Sequence, residues 1–308
     1  MPKINIFGIL KKAVEYTKNH KFIWFFGFFL TGGGIFNFYR LVVLRHFSKV
    51  LHNFWQLLGA DPTYMSLFVA GIILGLLLTF VVIGICRAVL IQATVKLERK
   101  DPKPLTFLGL IRQSAKYMWK IAAISFASNA FTVVLFFWLF APIFYLLHQG
   151  LHTRAFPLAL IATVIFLPLF IIISLVNIFA ANFVAAFDLN FRAALRSAFD
   201  LLIRFWDWAV PLLFMLFAVY FLLFFLSADL ISLVGILALG LPVLIKSLSA
   251  GVIFGLVCCL IAALLIVNAA LNVFANIAWT LFFLEIVKAS KIPEDPVLAP
   301  APEPVVQH

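Results

Sequence analysis

The chain of 308 residues is 65% hydrophobic and 11% charged, with a mean hydropathy of +1.14. Soluble domains carry about a quarter charged residues, so a soluble fold is excluded. The formal net charge of +11 gathers at the ends of apolar runs, which points to topology and anionic headgroups rather than to nucleic acid.

Several apolar runs exceed the ~18 residues that mark a membrane span. They are continuous rather than alternating, which selects helices over a barrel. The expected fold is all-α: a polytopic transmembrane helix bundle of six spans in three pseudo-repeats. Each repeat, about 1–100, 101–188 and 189–291, is opened by a cytoplasmic amphipathic interfacial helix.

Residues 1–21 form the first such helix. Asn5 is its N-cap, with Ile4 and Ile9 as a hydrophobic staple. Lys11, Lys12, Glu15, Lys18 and Asn19 make the polar face; Ile6, Ile9, Leu10, Ala13, Val14 and Tyr16 make the apolar face. The run 22–38 follows as an uncleaved first span, with Trp24 and Tyr39 as interface anchors and a bend at Gly32, Gly33 and Gly34. Residues 40–60 read as a second kind of amphipathic segment, on the outer surface. Residues 65–86 return across the membrane and continue past Arg87 to about Glu98, until Pro102 and Pro104 break the helix.

The second copy starts at Thr106, with Leu105 and Leu110 in the staple positions. Arg112, Lys116 and Lys120 take the columns of Lys11, Glu15 and Asn19. The third span is expected at 121–147, a short loop carries His148, His152 and Arg154, and the fourth span runs over 157–187. The third copy starts at Asn190. Arg192, Arg196, Asp200 and Arg204 fall on its polar arc, while Ala194, Leu195, Ala198, Phe199, Leu201, Leu202 and Phe205 fall on its apolar arc. The fifth span is placed at 209–226, an outer segment at 229–246 and the sixth span at 251–283. The Pro-rich stretch 292–308 reads as a disordered tail.

With the N-terminus cytoplasmic, 18 of the 23 Lys and Arg residues fall on the inner side. The positive-inside rule therefore favours a multi-pass inner (plasma) membrane protein with both termini cytoplasmic.

Asn268, Asn272 and Asn276 step by four along the last span. They read either as interhelical hydrogen-bonding groups or as the lining of a polar path. No acid or base lies deep beside them, which argues against an ion-coupled carrier. Arg87 is expected to snorkel to the inner headgroups. Asp200, four residues from both Arg196 and Arg204, reads as a helix-surface ion-pair partner. His148 and His152 lack a third ligand nearby. Cys86, Cys258 and Cys259 sit in apolar runs as reduced, packed thiols. Gly-rich phosphate loops, nucleophile elbows and His-Glu-x-x-His motifs are missing. No catalytic residue, cofactor or metal is therefore assigned.

Asn5-Ile6-Phe7-Gly8-Ile9-Leu10-Lys11-Lys12-Ala13, followed by Asn19-His20-Lys21-Phe22-Ile23-Trp24, resembles the opening of a family of bacterial six-span membrane proteins, mostly uncharacterised. These are related to the membrane domain fused to some glycerophosphodiester phosphodiesterases. Phe107 with Gly109, and Phe191 with Arg196-Ser197-Ala198-Phe199, resemble the later surface helices of that family. The resemblance implies architecture and a bacterial inner-membrane address. It implies no activity, because the phosphodiesterase chemistry belongs to a separate soluble domain.

The function expected is non-enzymatic: a membrane-organising or scaffold role. Lys11, Lys12, Arg112, Lys116, Lys120, Arg192, Arg196 and Arg204 would contact anionic headgroups of the bilayer. The alternative is a permease or channel for a small or amphiphilic solute, lined by Asn268, Asn272 and Asn276.

Overall fold

The computed structural model describes residues 4–30, 62–99, 105–222 and 250–290, and every regular element among them is helical. In chain order these are α1 (Ile6–Asn19), a 3-10 turn (Lys21–Ile23), α2 (Trp24–Leu30), α3 (Pro62–Glu98) and α4 (Phe107–His148). They are followed by α5 (His152–Phe187), α6 (Phe191–Arg204), α7 (Trp206–Leu222) and α8 (Ala250–Ala289). The expected outer segments 40–60 and 229–246, the glycine bend at 32–34, the break at 101–104 and the tail 292–308 lie outside the described residues.

Among the described residues, four helices (α3, α4, α5 and α8) are long and apolar enough to cross a membrane. The count is five if α6 and α7, which meet at a 92° bend, are taken as one broken span. Only 6% of the most apolar window is buried in α3 and in α4, and 11% in α5. Water would not tolerate that much exposed apolar surface, but lipid tails solvate it as well as a core would. The lengths and the exposure together make this a multi-pass membrane chain.

The chain divides into two compact units. One comprises Leu78–Phe205 and the chain from Trp279 onward. Its centre is an α4–α5 hairpin closed by a Schellman turn. Gly150, at φ +72°, donates to Leu147 O at 3.1 Å, and Leu151 donates to Leu146 O at 3.0 Å. A β-carbon at that φ would be strained, which is why glycine stands there. Near the turn, Phe136, Phe140, Phe166 and Phe170 stack in a ladder beside Ile143, Ala155 and Ala162.

The tightest packing of this unit lies at the opposite ends of its helices. Residues 88–91 of α3, 179–181 and 183–185 of α5 and 281–283 of α8 are all buried. Phe179 and Phe183 meet Trp279, Phe282 and Phe283 at ring separations of 4.8–6.3 Å. Gly84 lets α3 approach α4 closely, since a β-carbon there would lie 2.9 Å from Met118 O. The small side chain substitutes backbone contact for a hydrophobic drive that lipid does not supply.

The second unit comprises Asn5–Leu77 and Trp206–Ala278. Here α1 buries Ile9, Ala13 and Thr17, and the Trp24 indole N–H donates to Thr17 O at 2.8 Å, fastening α1 to α2. Gly27 of α2 abuts α8: a β-carbon there would lie 2.2 Å from Ala269 O and 2.6 Å from Val273 Cγ2.

The expected second surface helix differs from the other two. The first ends at His20 and the third at Phe205, but residues 107–120 run unbroken into the third span as one helix of 42 residues. At 1.5 Å per residue α4 is about 63 Å long, twice the ~30 Å hydrocarbon layer. Asn19, a weak helix former, ends α1, and Asp207 in the first turn of α7 favours a new N-terminus. Lys120 and Ile121, at the corresponding point of α4, supply neither signal.

Candidate functional site

The three basic segments share a plan measured from their caps. Asn5 Oδ1 accepts from Gly8 N at 2.9 Å. The backbone carbonyls of Asn5, Thr106 and Asn190 accept the first helical bonds from Ile9, Leu110 and Ala194, at 3.1, 3.0 and 2.8 Å. Four residues after each cap the side chain is buried (Ile9, Leu110, Ala194), and again eight residues after (Ala13, Ser114, Ala198). Six residues after each cap stands an exposed cation: Lys11, Arg112 or Arg196.

The exposed faces are not purely polar. Phe7 (77% exposed) and Val14 flank Lys11 and Lys18 on α1. Leu108 and Trp119 (66%) flank Arg112 on α4. On α6, Phe199 and Ile203 (64%) lie on the same side as Arg192 and Arg196. Phe199, on the apolar arc, is half exposed, because the stripe that packs inward is the narrower Ala194, Ala198, Leu201 and Leu202. Small residues at two of those four positions let α6 lie close against its own unit. The larger apolar side chains are left among the cations. A face of that composition suits the boundary between headgroups and acyl chains, where both kinds of group are solvated.

Lys12, Arg192, Arg196 and Arg204 are exposed, as headgroup contact requires. Lys116 and Lys120 instead converge on Asp188, at 3.3 and 3.0 Å. Asp188 caps α5 in the left-handed conformation (φ 52°), which its short polar side chain tolerates better than most. Asp200, expected to pair with Arg196 and Arg204, forms no ion pair within 4 Å among the described residues, whereas Asp188 pairs with both lysines. The spacing of four along one helix suggested Asp200, but only tertiary packing brings α4 to the end of α5.

The Lys120 ammonium, helped by Lys116, holds the Asp188 carboxyl below the usual carboxylate range. A group whose folded pKa is depressed stabilises the fold above its unfolded value, and that contribution is lost as pH falls through the folded one. The wild type should therefore be more stable than Asp188→Asn at pH 7, by under about 1 kcal/mol because the pair is exposed and screened. The difference should begin to shrink as pH falls to about 4 and vanish only below the depressed folded value. Thermal unfolding of both forms in detergent over pH 3–7 reads this directly; a gap that does not narrow in acid would assign the effect to something other than the charge.

Two of the three α8 amides make hydrogen bonds to protein groups. Tyr220 O–H on α7 donates to Asn272 Oδ1 at 3.1 Å, and Asn276 Nδ2 donates to Asn272 O at 2.7 Å. Asn268 is half-buried on the same helix. Tyr220, which the amide spacing alone did not reveal, is thus the partner of Asn272. Asn272→Leu and Tyr220→Phe should each lower the unfolding free energy by about 0.5–1.5 kcal/mol, read from the thermal midpoint in detergent, and the double variant by less than their sum. Additive losses would separate the two groups.

Arg87 also departs from expectation. Instead of snorkelling out to headgroups, it turns into its unit, where Nη1 donates to Ser125 Oγ on α4 and Asn177 Oδ1 on α5, each at 3.3 Å. One turn and a half further along α3, Gln92 Nε2 donates to Ala185 O. Of the expected packed thiols, Cys86 is buried, whereas Cys258 and Cys259 are exposed on α8. His148 ends α4 and His152 begins α5, within helices rather than in a free loop.

Comparison with known proteins adds no name to this geometry: no family model, no curated protein and no solved structure matches the chain.

Proposed function

We propose that this chain is a non-enzymatic, multi-pass membrane protein that engages anionic headgroups through its three basic helical segments, in a membrane-organising or scaffold role. The observation that carries the reading is the mixed exposed face: a cation six residues after each of three helix caps, with large apolar side chains exposed beside it. A helix facing water would keep its Phe and Ile inward, and one facing hydrocarbon would exclude Arg. Six spans, a threefold internal repeat, cytoplasmic termini and an inner-membrane address belong to the same proposal. They rest on the charge distribution and on the motif residues from Asn5 onward.

A solute pathway along the α8 amides has less support, because Asn272 and Asn276 spend hydrogen-bonding capacity on Tyr220 and on the helix itself. The test is partitioning of a peptide spanning 189–207 onto vesicles of 70% phosphatidylcholine and 30% phosphatidylglycerol. Arg192→Gln, Arg196→Gln and Arg204→Gln together should weaken it strongly. Unchanged binding would remove headgroup contact from the reading.

A further inference from the structure

Charge is scarce where Arg87 sits. It lies eleven residues before Glu98, about 16 Å along α3, and Glu98 faces Lys288 at 4.0 Å. Its partner Asn177 lies eleven residues before Asp188, and its partner Ser125 five residues beyond Lys120. The guanidinium is therefore roughly one to three helical turns inside the level marked by those two ion pairs, within one compact unit. No carboxylate lies within 4 Å of it among the described residues. A cation at such a depth is costly unless an anion or a water-filled space meets it.

The geometry of the fork says where the anion belongs. Both hydrogen bonds to protein use Nη1, and both acceptors are neutral. The opposite edge, formed by Nε–H and Nη2–H, makes no hydrogen bond to the described residues. That edge presents two parallel donors at the spacing of two oxygens on one phosphorus, the arrangement in which arginine recognises phosphate best. Ser125 and Asn177 act as positioning residues: they hold one side of the guanidinium and leave the bidentate side without a hydrogen-bond partner among the described residues. A side chain serving only to tie three helices together would gain nothing by confining its bonds to a single nitrogen.

We infer that Arg87, oriented by Ser125 and Asn177, is a discrete phosphate-binding site within the helix bundle, for a phosphate-bearing amphiphile or a free phosphate. This goes beyond diffuse headgroup contact, since none of the residues involved lies on the exposed basic faces.

The test uses the full chain in neutral maltoside micelles at 0.5 M NaCl, where exposed charge pairs are largely screened. The unfolding midpoint is followed against dihexanoyl phosphatidic acid, inorganic phosphate and, as a tail control, dihexanoylglycerol. The wild type should show a saturable rise with phosphatidic acid and none with dihexanoylglycerol. Arg192→Gln/Arg196→Gln/Arg204→Gln should keep that rise, so loss of surface binding and loss of this site are read separately. Arg87→Gln should need about tenfold or more ligand for the same rise. Ser125→Ala/Asn177→Ala, which keeps the charge but frees it, should need several-fold more, and it carries the test if Arg87→Gln does not fold. A matching response to inorganic phosphate assigns the site to the free anion; a response to phosphatidic acid alone assigns it to an amphiphile. Absence of a saturable response to either probe, an equal response to dihexanoylglycerol, or wild-type responses in both Arg87→Gln and Ser125→Ala/Asn177→Ala would overturn the site.

Discussion

Gly27→Val should lower the unfolding free energy by about 3 kcal/mol or more, measured as the thermal midpoint in detergent micelles. The first atom a β-carbon meets at Gly27 is the Ala269 carbonyl oxygen, 2.2 Å away, and the next is Val273 Cγ2 at 2.6 Å. A flexible side chain can swing aside, but a helix backbone cannot, so α2 and α8 must separate. Ile23, buried in the preceding 3-10 turn, and Phe26, buried on α2, would lose their packing with them. Gly71 is the control, because a β-carbon there meets nothing within 4 Å. Gly71→Ala should be neutral or slightly stabilising, since alanine is the better helix former by up to about 1 kcal/mol. If Gly27→Val and Gly71→Val melt together, the close approach at Gly27 is not a structural requirement.

Removing the three α6 cations should weaken vesicle partitioning of the 189–207 segment by roughly a hundredfold. Each basic residue near an anionic surface contributes about 1 kcal/mol, and three such contributions approach two factors of ten. Raising the salt from 0.05 to 0.5 M should produce much of the same loss in the wild-type segment and little further loss in the neutralised one. Replacing Phe199 and Ile203 with Ser should also weaken binding, but without changing its salt dependence, because the apolar contribution is not screened. A segment whose binding ignored both charge and salt would be held by apolar contact alone.

The hydrophobic pattern made the helices legible with little ambiguity. The expected return at 65–98 is α3 at Pro62–Glu98, and the expected spans at 121–147, 157–187 and 251–283 lie within α4, α5 and α8. Long apolar runs admit few alternatives in lipid, where every backbone group must be satisfied within the segment. The caps at Asn5, Thr106 and Asn190 were legible for the same local reason: a short polar side chain before an apolar periodic run is a start signal. Helix breaks were harder to read. A continuous α4 and an interrupted α1 differ only in weak local preferences that packing reinforces.

The polar contacts were the least legible. Asp200 was a reasonable partner for Arg196 and Arg204 by spacing, yet the acid that pairs is Asp188, with Lys116 and Lys120 of another helix, and Tyr220 could not have been matched to Asn272 across 52 residues. Arg87 sits at the end of an apolar run, where length alone favoured an outward side chain. Its inward turn depends on Ser125 and Asn177 arriving from two other helices.

Composition and periodicity by themselves thus determined that the chain is helical, that its long helices suit a membrane, and where three basic helical segments begin. These follow from solvation of the backbone and from a 3.6-residue period, both local properties. Tertiary structure alone decided which small residues carry helix contacts, which charges are neutralised within the protein, and which edge of Arg87 bonds to protein groups. Those depend on distances between helices that the order of residues along any one helix does not contain.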